Sequence, residues 1–447
     1  MAGIPSPAQS PNRSPTPQAI PATPPVNYLA PLAVLTSLFF MWGFLTCLND
    51  ILSPHLKALF ELNYFQIGLV QTAFFAAYFV MSLPSGWIVK RLGYKPGIII
   101  GLAGAALGCV LFYPAAGARS FNLFLVALFV LASGITLLQV AANPFVAILG
   151  KPETAAARLT MTQAFNSLGT TIAPVFGSIL FFAVAVKSSA ELHQMSPSAV
   201  EAYRVAQASS VQNPYLGLAG ALVLLAIAIA LFKLPKIDEG SEGAVRADDD
   251  HRHNSAWSYR HLVLGAVGIF LYVGAEVAIG NYLVSFFKEP NIGGLIEAKG
   301  AKMVAFYWGG AMIGRFVGTV TLRLHKPGKL LAIHALCAAG LVALTMIASG
   351  SVAMWTIIAV GFFNSIMFPT IFTEAIDGLG RHTGQASGIL CMAIVGGAVI
   401  PPLTGKLADA IGIHYCFILP AVCYLYIAWY GLKGRAADAK KPAVAAA

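Results

Sequence analysis

Long apolar runs separated by short polar breaks fill most of this chain. Runs long enough to cross a bilayer, about 20 residues each, fall at 28–56, 65–89, 96–115, 121–149, 159–186 and 213–233. After a polar stretch a second set follows at 261–287, 301–323, 329–348, 352–376, 384–408 and 414–433. Inside lipid a single segment can satisfy its own backbone hydrogen bonds only as a helix. The pattern therefore predicts an all-α membrane protein with twelve transmembrane helices in two sets of six.

The two sets read as copies. Lys95-Pro96-Gly97 after the second run returns as Lys326-Pro327-Gly328 after the eighth, and Gly86 to Arg91 returns as Gly318 to Arg323. Gln139 precedes Pro144 by the interval at which Asn364 precedes Pro369, and Pro174 has an approximate counterpart in Pro401-Pro402. Six-helix repeats of this kind characterise transporters that work by alternating access, with the substrate near the midplane between the halves. The expected divisions are a disordered cytoplasmic tail at 1–27, a six-helix domain at 28–234, a cytoplasmic linker at 235–258, a second six-helix domain at 259–434 and a cytoplasmic tail at 435–447. Gly310, Gly314 and Gly318, one turn apart, predict a smooth face for close helix approach on the eighth helix.

Composition supports a polytopic membrane protein: 57% of residues are apolar and 10% charged, where soluble domains carry about a quarter. The formal net charge of +10 is an orientation signal. Basic residues gather in alternate loops, at Lys90, Arg91 and Lys95, at Lys151 and Arg158, and at Arg323, Lys326 and Lys329. Such loops are retained in the cytoplasm, which puts both termini inside, and nothing in the charge points to nucleic acid. The tail before Tyr28 has no apolar region that would make it a cleaved signal. Six cysteines lie within spans at no metal or disulfide spacing and read as packing residues. No metal pair, nucleophile motif or phosphate loop suggests an enzyme, and no cofactor is implied.

The chemistry is concentrated in a few polar residues within the spans. Asn49 and Asp50 end the stretch Met41 to Asp50 in the first helix. Gln139 and Asn143 lie one turn apart in the fourth, Gln163 and Asn166 in the fifth, and each pair projects from one helical face. The second half supplies Glu276 and Asn281 in the seventh helix, Trp308 and Arg315 in the eighth, and Asn364 in the tenth. Amides donate and accept without charge, which suits a polyhydroxyl ligand, and aromatic faces such as Trp308 suit the C–H side of a sugar ring. The same amides could equally serve as glue between helices.

Carboxylates at such depth are costly and face a bundle interior or water-filled cavity. Asp50 and Glu276 are thus candidates for cation coupling. Either could carry a proton, and Asp50 would be a metal ligand if the ion were Na⁺, since hard cations favour oxygen. A buried ion pair between Glu276 and Arg315 is the structural alternative.

Several segments resemble a known family. Leu48 to His55, Ala141 to Phe145, Gln163 to Thr171 and Gly361 to Thr370 are similar to the fucose/galactose/glucose:cation symporters of the major facilitator superfamily. Tyr272 to Gly280 and Tyr307 to Arg315 resemble the bacterial glucose/galactose branch more than the fucose permeases. The resemblance runs from about Phe39 to Gly434. It implies two pseudo-symmetric six-helix domains in the major facilitator fold, a multi-pass location in a bacterial inner membrane, and hexose uptake by symport with H⁺ or Na⁺. It also implies a coupling role for Asp50. Gln139 stands where the fucose permeases carry a second glutamate, Glu276 where they carry glutamine, and Lys90 where the superfamily's loop motif has aspartate.

The expected function is cation-coupled import of glucose or galactose, with Asn49, Gln139, Asn143, Gln163, Asn166, Asn281, Trp308 and Asn364 contacting sugar and Asp50 and Glu276 serving the cation. The partners expected are the sugar, the ion and the bilayer, with the chain a monomer. N-acetylglucosamine or fucose as substrate, or a sensor that binds sugar without moving it, are the competing readings.

Overall fold

Helices dominate the structure, a computed structural model that describes residues 28–60, 64–118, 120–181, 191, 194–235 and 255–434. The amino-terminal tail, nearly all of the expected linker and the carboxyl-terminal tail lie outside the described residues. The first six helices are α1 (Leu29–Phe60), α2 (Tyr64–Leu92), α3 (Tyr94–Gly117), α4 (Phe121–Ile148), α5 (Ala155–Phe181) and α6 (Pro197–Leu231). A 3₁₀ turn at Ala256–Ser258 leads into α7 (Arg260–Lys288), α8 (Glu297–Leu324) and α9 (Pro327–Ile347). The rest are α10 (Gly350–Asn364), α11 (Met367–Ile376), α12 (Thr383–Met392), α13 (Gly396–Ile411) and α14 (Ile418–Lys433).

Among the described residues nine stretches are long and apolar enough to cross a membrane, and α14 is a shorter apolar helix. The helix α5 and the more charged α8, which carries Glu297, Lys299, Lys302, Arg315 and Arg323, fill the remaining two places in the series of twelve. Two segments read from sequence as single helices are each in two pieces. The tenth divides at Ser365–Ile366 into α10 and α11, just before Pro369, which has no N–H to offer the Ser365 carbonyl. The eleventh divides at a 3₁₀ turn, Ala393–Val395, into α12 and α13. There Gly396 lies against the Phe270 carbonyl of α7 so closely that a β-carbon would not fit.

The repeat seen in sequence returns as a repeat of packing. In the first six helices α1 packs on α5, α2 on α4, and α3 on both α4 and α6. In the rest α7 packs on α13, α8 on α10, and α9 on both α10 and α14. Each partnership in one set is the counterpart of one in the other. The sets meet along two seams that are also counterparts, α2 against α12 and α5 against α8.

Helix ends inside or near lipid must find partners for their free carbonyls. Arg158, nearly fully buried at the start of α5, donates through Nη2 to the Ala147 carbonyl at 2.5 Å and through Nε to the Val146 carbonyl at 3.3 Å. It also reaches the Lys151 carbonyl at 2.8 Å. A cation at the carboxyl end of α4 satisfies orphan acceptors and matches the helix dipole. Lys95 does the same for α6, donating to the Ala230 and Phe232 carbonyls at 2.8 and 3.0 Å.

Close backbone approaches occur where α2 nears its carboxyl end and α12 begins. Ser387 of α12 donates to the Val140 carbonyl of α4 at 2.8 Å. A β-carbon on Gly388 would lie 2.7 Å from the Ser82 carbonyl oxygen of α2, so only glycine permits the two backbones this approach. Nearby, Ala156 and Ala157 of α5 pack with Leu322 of α8 and Ile366.

Gly388→Val is expected to force this seam apart at a cost of about 1–3 kcal/mol, the usual range for overpacking. A thermal melt of the detergent-solubilised protein checks this; an unchanged midpoint would mean that α2 and α12 do not need the close approach.

Candidate functional site

Each half buries a small set of polar side chains among its helices. On α4, Gln139 is 3% exposed and Asn143 fully buried, one helical turn apart as their spacing predicts. Gln139 Nε2 donates to the Tyr78 hydroxyl of α2. Its Oε1 is buried without a hydrogen-bond partner, and so are both amide atoms of Asn143. Most buried polar groups are paired, and each exception needs a reason. Asn143 lies beside the Cys391 thiol, a weak partner, so its amide remains a ready place for a hydroxylated ligand.

On α5, Gln163 is buried. Asn166 is half-buried and donates through Nδ2 to the Phe39 carbonyl of α1 at 3.0 Å. That bond ties the two helices together, the glue role that the sequence left open for it.

In the second half a chain of hydrogen bonds links three helices. Tyr272 of α7 donates to Glu276 Oε1 at 2.7 Å. Asn364, fully buried at the carboxyl end of α10, donates through Nδ2 to the Tyr307 hydroxyl of α8 at 2.8 Å. Asn364 Oδ1 is left without a partner, and the buried hydroxyl of Tyr424 on α14 lies close to the same Asn364 amide. His334 of α9 meets the Phe363 carbonyl at 3.1 Å, which steadies α10 beside its break. Glycines 310 and 314 bring α8 against Phe362 and Ser365, as the sequence spacing predicts.

Arg315 acts electrostatically on Glu276, but the ion pair considered from sequence does not form. The arginine's Nη1 donates instead across a seam to Ser167 Oγ of α5. Among the described residues no group of three or more His, Cys, Asp or Glu could hold a metal ion.

Two of the sequence candidates stand apart from this buried cluster. Asn281 of α7 is exposed, and Trp308 is 43% exposed. Trp308 is set edge-on to Tyr307 with centroids 5.1 Å apart and is backed by Gly280. Asn49 and Asp50 belong to α1, but their side chains lie outside the described residues. Sequence reading passed over Tyr78, Ser167 and Tyr424. The spacing of Tyr272 and Glu276, one turn apart on α7, was a usable signal for that pair. A lone tyrosine among phenylalanines, such as Tyr78, gave none.

Comparison with known proteins fits this arrangement. The family model described as Major Facilitator Superfamily matches residues 34–393. The "Glucose/galactose transporter" of Brucella abortus biovar 1 is 56% identical over 408 residues, 91% of this chain and 95% of that one. The "L-fucose-proton symporter" of Escherichia coli K12 is 38% identical over 408 residues, 90% of this chain and 92% of that one. A crystal structure of the Escherichia coli fucose:proton symporter superposes with a TM-score of 0.83 at 36% identity, covering 91% of this chain and 99% of that chain.

Tyr307→Phe is expected to leave the Asn364 amide unsatisfied and to cost about 1–3 kcal/mol, the price of an unpaired buried group. Adding Asn364→Leu should recover most of the loss. A double-mutant cycle of thermal melts measures this, and additive effects of the two changes would show that the amide and the hydroxyl do not depend on each other.

Proposed function

Because the chain belongs to the Major Facilitator Superfamily, we propose that it is a secondary active transporter importing a hexose, glucose or galactose, by symport with a cation through alternating access. The observation that carries this reading is the set of buried amide atoms left over: the oxygen of Gln139 and both amide atoms of Asn143 in one half, and the oxygen of Asn364 in the other. A sugar hydroxyl both donates and accepts, so one hexose spanning these residues would satisfy groups on both halves at once. Binding energy of that kind favours the arrangement in which both halves reach the ligand, and it is available only through differential contact with the two states.

The names of the relatives support the sugar class, and the 56% identity to a glucose/galactose transporter favours those hexoses over fucose. The relatives named as fucose-proton symporters favour H⁺ as the coupling ion. Asp50 and Glu276 are the carboxyls proposed to exchange it. Gln163 and Asn166 flank the first-half amides on α5. Trp308 and Asn281, exposed on the second half, are proposed as outlying contacts, where an indole face could cover a sugar ring. Asn49 completes the proposed set next to Asp50.

The proposed setting is a bacterial inner membrane with both termini cytoplasmic, on the charge distribution of the loops. The proposed domains are 28–234 and 259–434, with 235–258 as linker and the chain acting as a monomer.

Radiolabelled glucose and galactose uptake into proteoliposomes tests the reading, with a proton gradient imposed in one set and a Na⁺ gradient in another. Accumulation under the proton gradient is expected, with fucose and N-acetylglucosamine as weak competitors. Accumulation driven by Na⁺ alone would overturn the choice of ion, and saturable sugar binding without flux would make the chain a sensor.

Two substitutions sharpen the assignment. Asn143→Leu should raise the KM for sugar about tenfold or more, the scale expected when a site loses a hydrogen bond to a substrate hydroxyl. Asp50→Asn should abolish uphill accumulation while leaving sugar exchange, and unchanged accumulation in that variant removes Asp50 from the coupling.

A further inference from the structure

Arg315 is the one charged group seen to bridge the halves among the described hydrogen bonds. It lies within the span of α8, half-buried, and its bond goes to the neutral hydroxyl of Ser167 on α5, with the guanidinium Nε buried and unpartnered. A guanidinium at such depth needs a counter-charge. The carboxylate that acts on it, Glu276, belongs to Arg315's own half and is held by Tyr272 at 2.7 Å. The groups that titrate or carry charge around Glu276 are Tyr272 on α7, Arg315 and Tyr307 on α8, and Tyr424 on α14. Arg315 is the only cation of the four.

We propose that Arg315 is a positioning residue that latches α8 to α5 through Ser167, and that a charged Glu276 competes with Ser167 for it. A direct bond between Arg315 and Glu276 would turn the guanidinium into its own half and release the seam. A neutral Glu276 offers no such competition, so the latch holds. The state of a carboxyl in one half thereby sets how firmly the two halves are closed. Charge-assisted hydrogen bonds are roughly twice as strong as neutral ones, which makes the exchange of partners a balance of two comparable arrangements. This inference rests on the alternating-access reading, and it adds to that reading the residues that join the ion's site to the moving seam.

The test reads closure directly. Phe165 of α5 and Phe316 of α8 meet across the same seam with ring centroids 6.2 Å apart. Phe165→Cys and Phe316→Cys, in a full-length chain whose six native cysteines are replaced, report closure by their oxidative cross-linking rate in proteoliposomes. Ser167→Ala is expected to slow cross-linking about tenfold, the effect of losing one hydrogen bond to a charged group, and Ser167→Thr, which keeps the hydroxyl, to restore it. Glu276→Gln should speed cross-linking, and that gain should vanish when Ser167→Ala is added.

A parent-like rate in Ser167→Ala overturns the latch. Absence of a gain in Glu276→Gln, or a gain that survives without the Ser167 hydroxyl, overturns the competition. Should Ser167→Ala fail to fold by gel filtration, Arg315→Lys carries the same test, with slower cross-linking expected from a cation lacking the guanidinium fork. Cross-linking requires no sugar movement, so a failed uptake assay and a failed latch are separate results.

Discussion

A polar group inside a bilayer cannot fall back on water, and every unusual feature of this protein follows from how that constraint is met or left open. Backbone groups meet it by forming helices, and the helix ends meet it by recruiting cations, as Arg158 does for α4 and Lys95 for α6. Side chains meet it pairwise: Tyr272 with Glu276, Tyr307 with Asn364, Asn166 with the Phe39 carbonyl. Against that background the unpartnered amide oxygens of Gln139 and Asn364 and the amide of Asn143 stand out as exceptions. An unpaired buried amide costs on the order of 1–3 kcal/mol. A fold that keeps several, in both halves, leaves room for the proposed ligand to pair them.

The architecture was legible because hydrophobic length is a coarse and repeated signal. Each span is written about twenty residues at a time, and the Lys-Pro-Gly landmarks and proline intervals mark the second half as a copy of the first. The packing partners α1–α5 and α7–α13, or α3–α6 and α9–α14, could not be read from those landmarks one by one. They follow once the copy is recognised. What the pattern hid was the division of the tenth and eleventh segments, because an apolar run has the same composition whether or not the helix inside it is broken.

The site was partly legible, for a related reason. Gln139, Asn143, Glu276 and Asn364 announce themselves as polar residues in apolar helices, and the structure finds them buried or half-buried. Burial alone does not assign a role, as Asn166 shows by spending its amide on α1. Nor does polarity guarantee burial: Asn281 is exposed on a helix face that sequence cannot orient, and Trp308 keeps much of its ring exposed. Tyrosine hydroxyls were the larger omission. Neither Tyr78 nor Tyr307 was read for its hydroxyl, yet their oxygens are what the amides of Gln139 and Asn364 hold.

The two halves share a plan but not a charge. The first half offers neutral amides on α4 and α5, and its candidate carboxyl, Asp50, stands on α1. The second half places a carboxylate and a guanidinium on neighbouring helices and then keeps them apart, one held by Tyr272 and the other by Ser167 across the seam. If their purpose were only to stabilise the bundle, a direct pair would serve better, since a buried charge held by neutral partners leaves Coulombic attraction unused. Separation makes sense when both groups have a second arrangement to reach. The repeat supplies two six-helix sets with counterpart seams, and under the proposed latch the asymmetry of charge supplies a reason for one seam to respond to what the interior binds. Under the proposed alternating access, symmetry in the scaffold and asymmetry in its polar residues are complementary requirements of a transporter with two states.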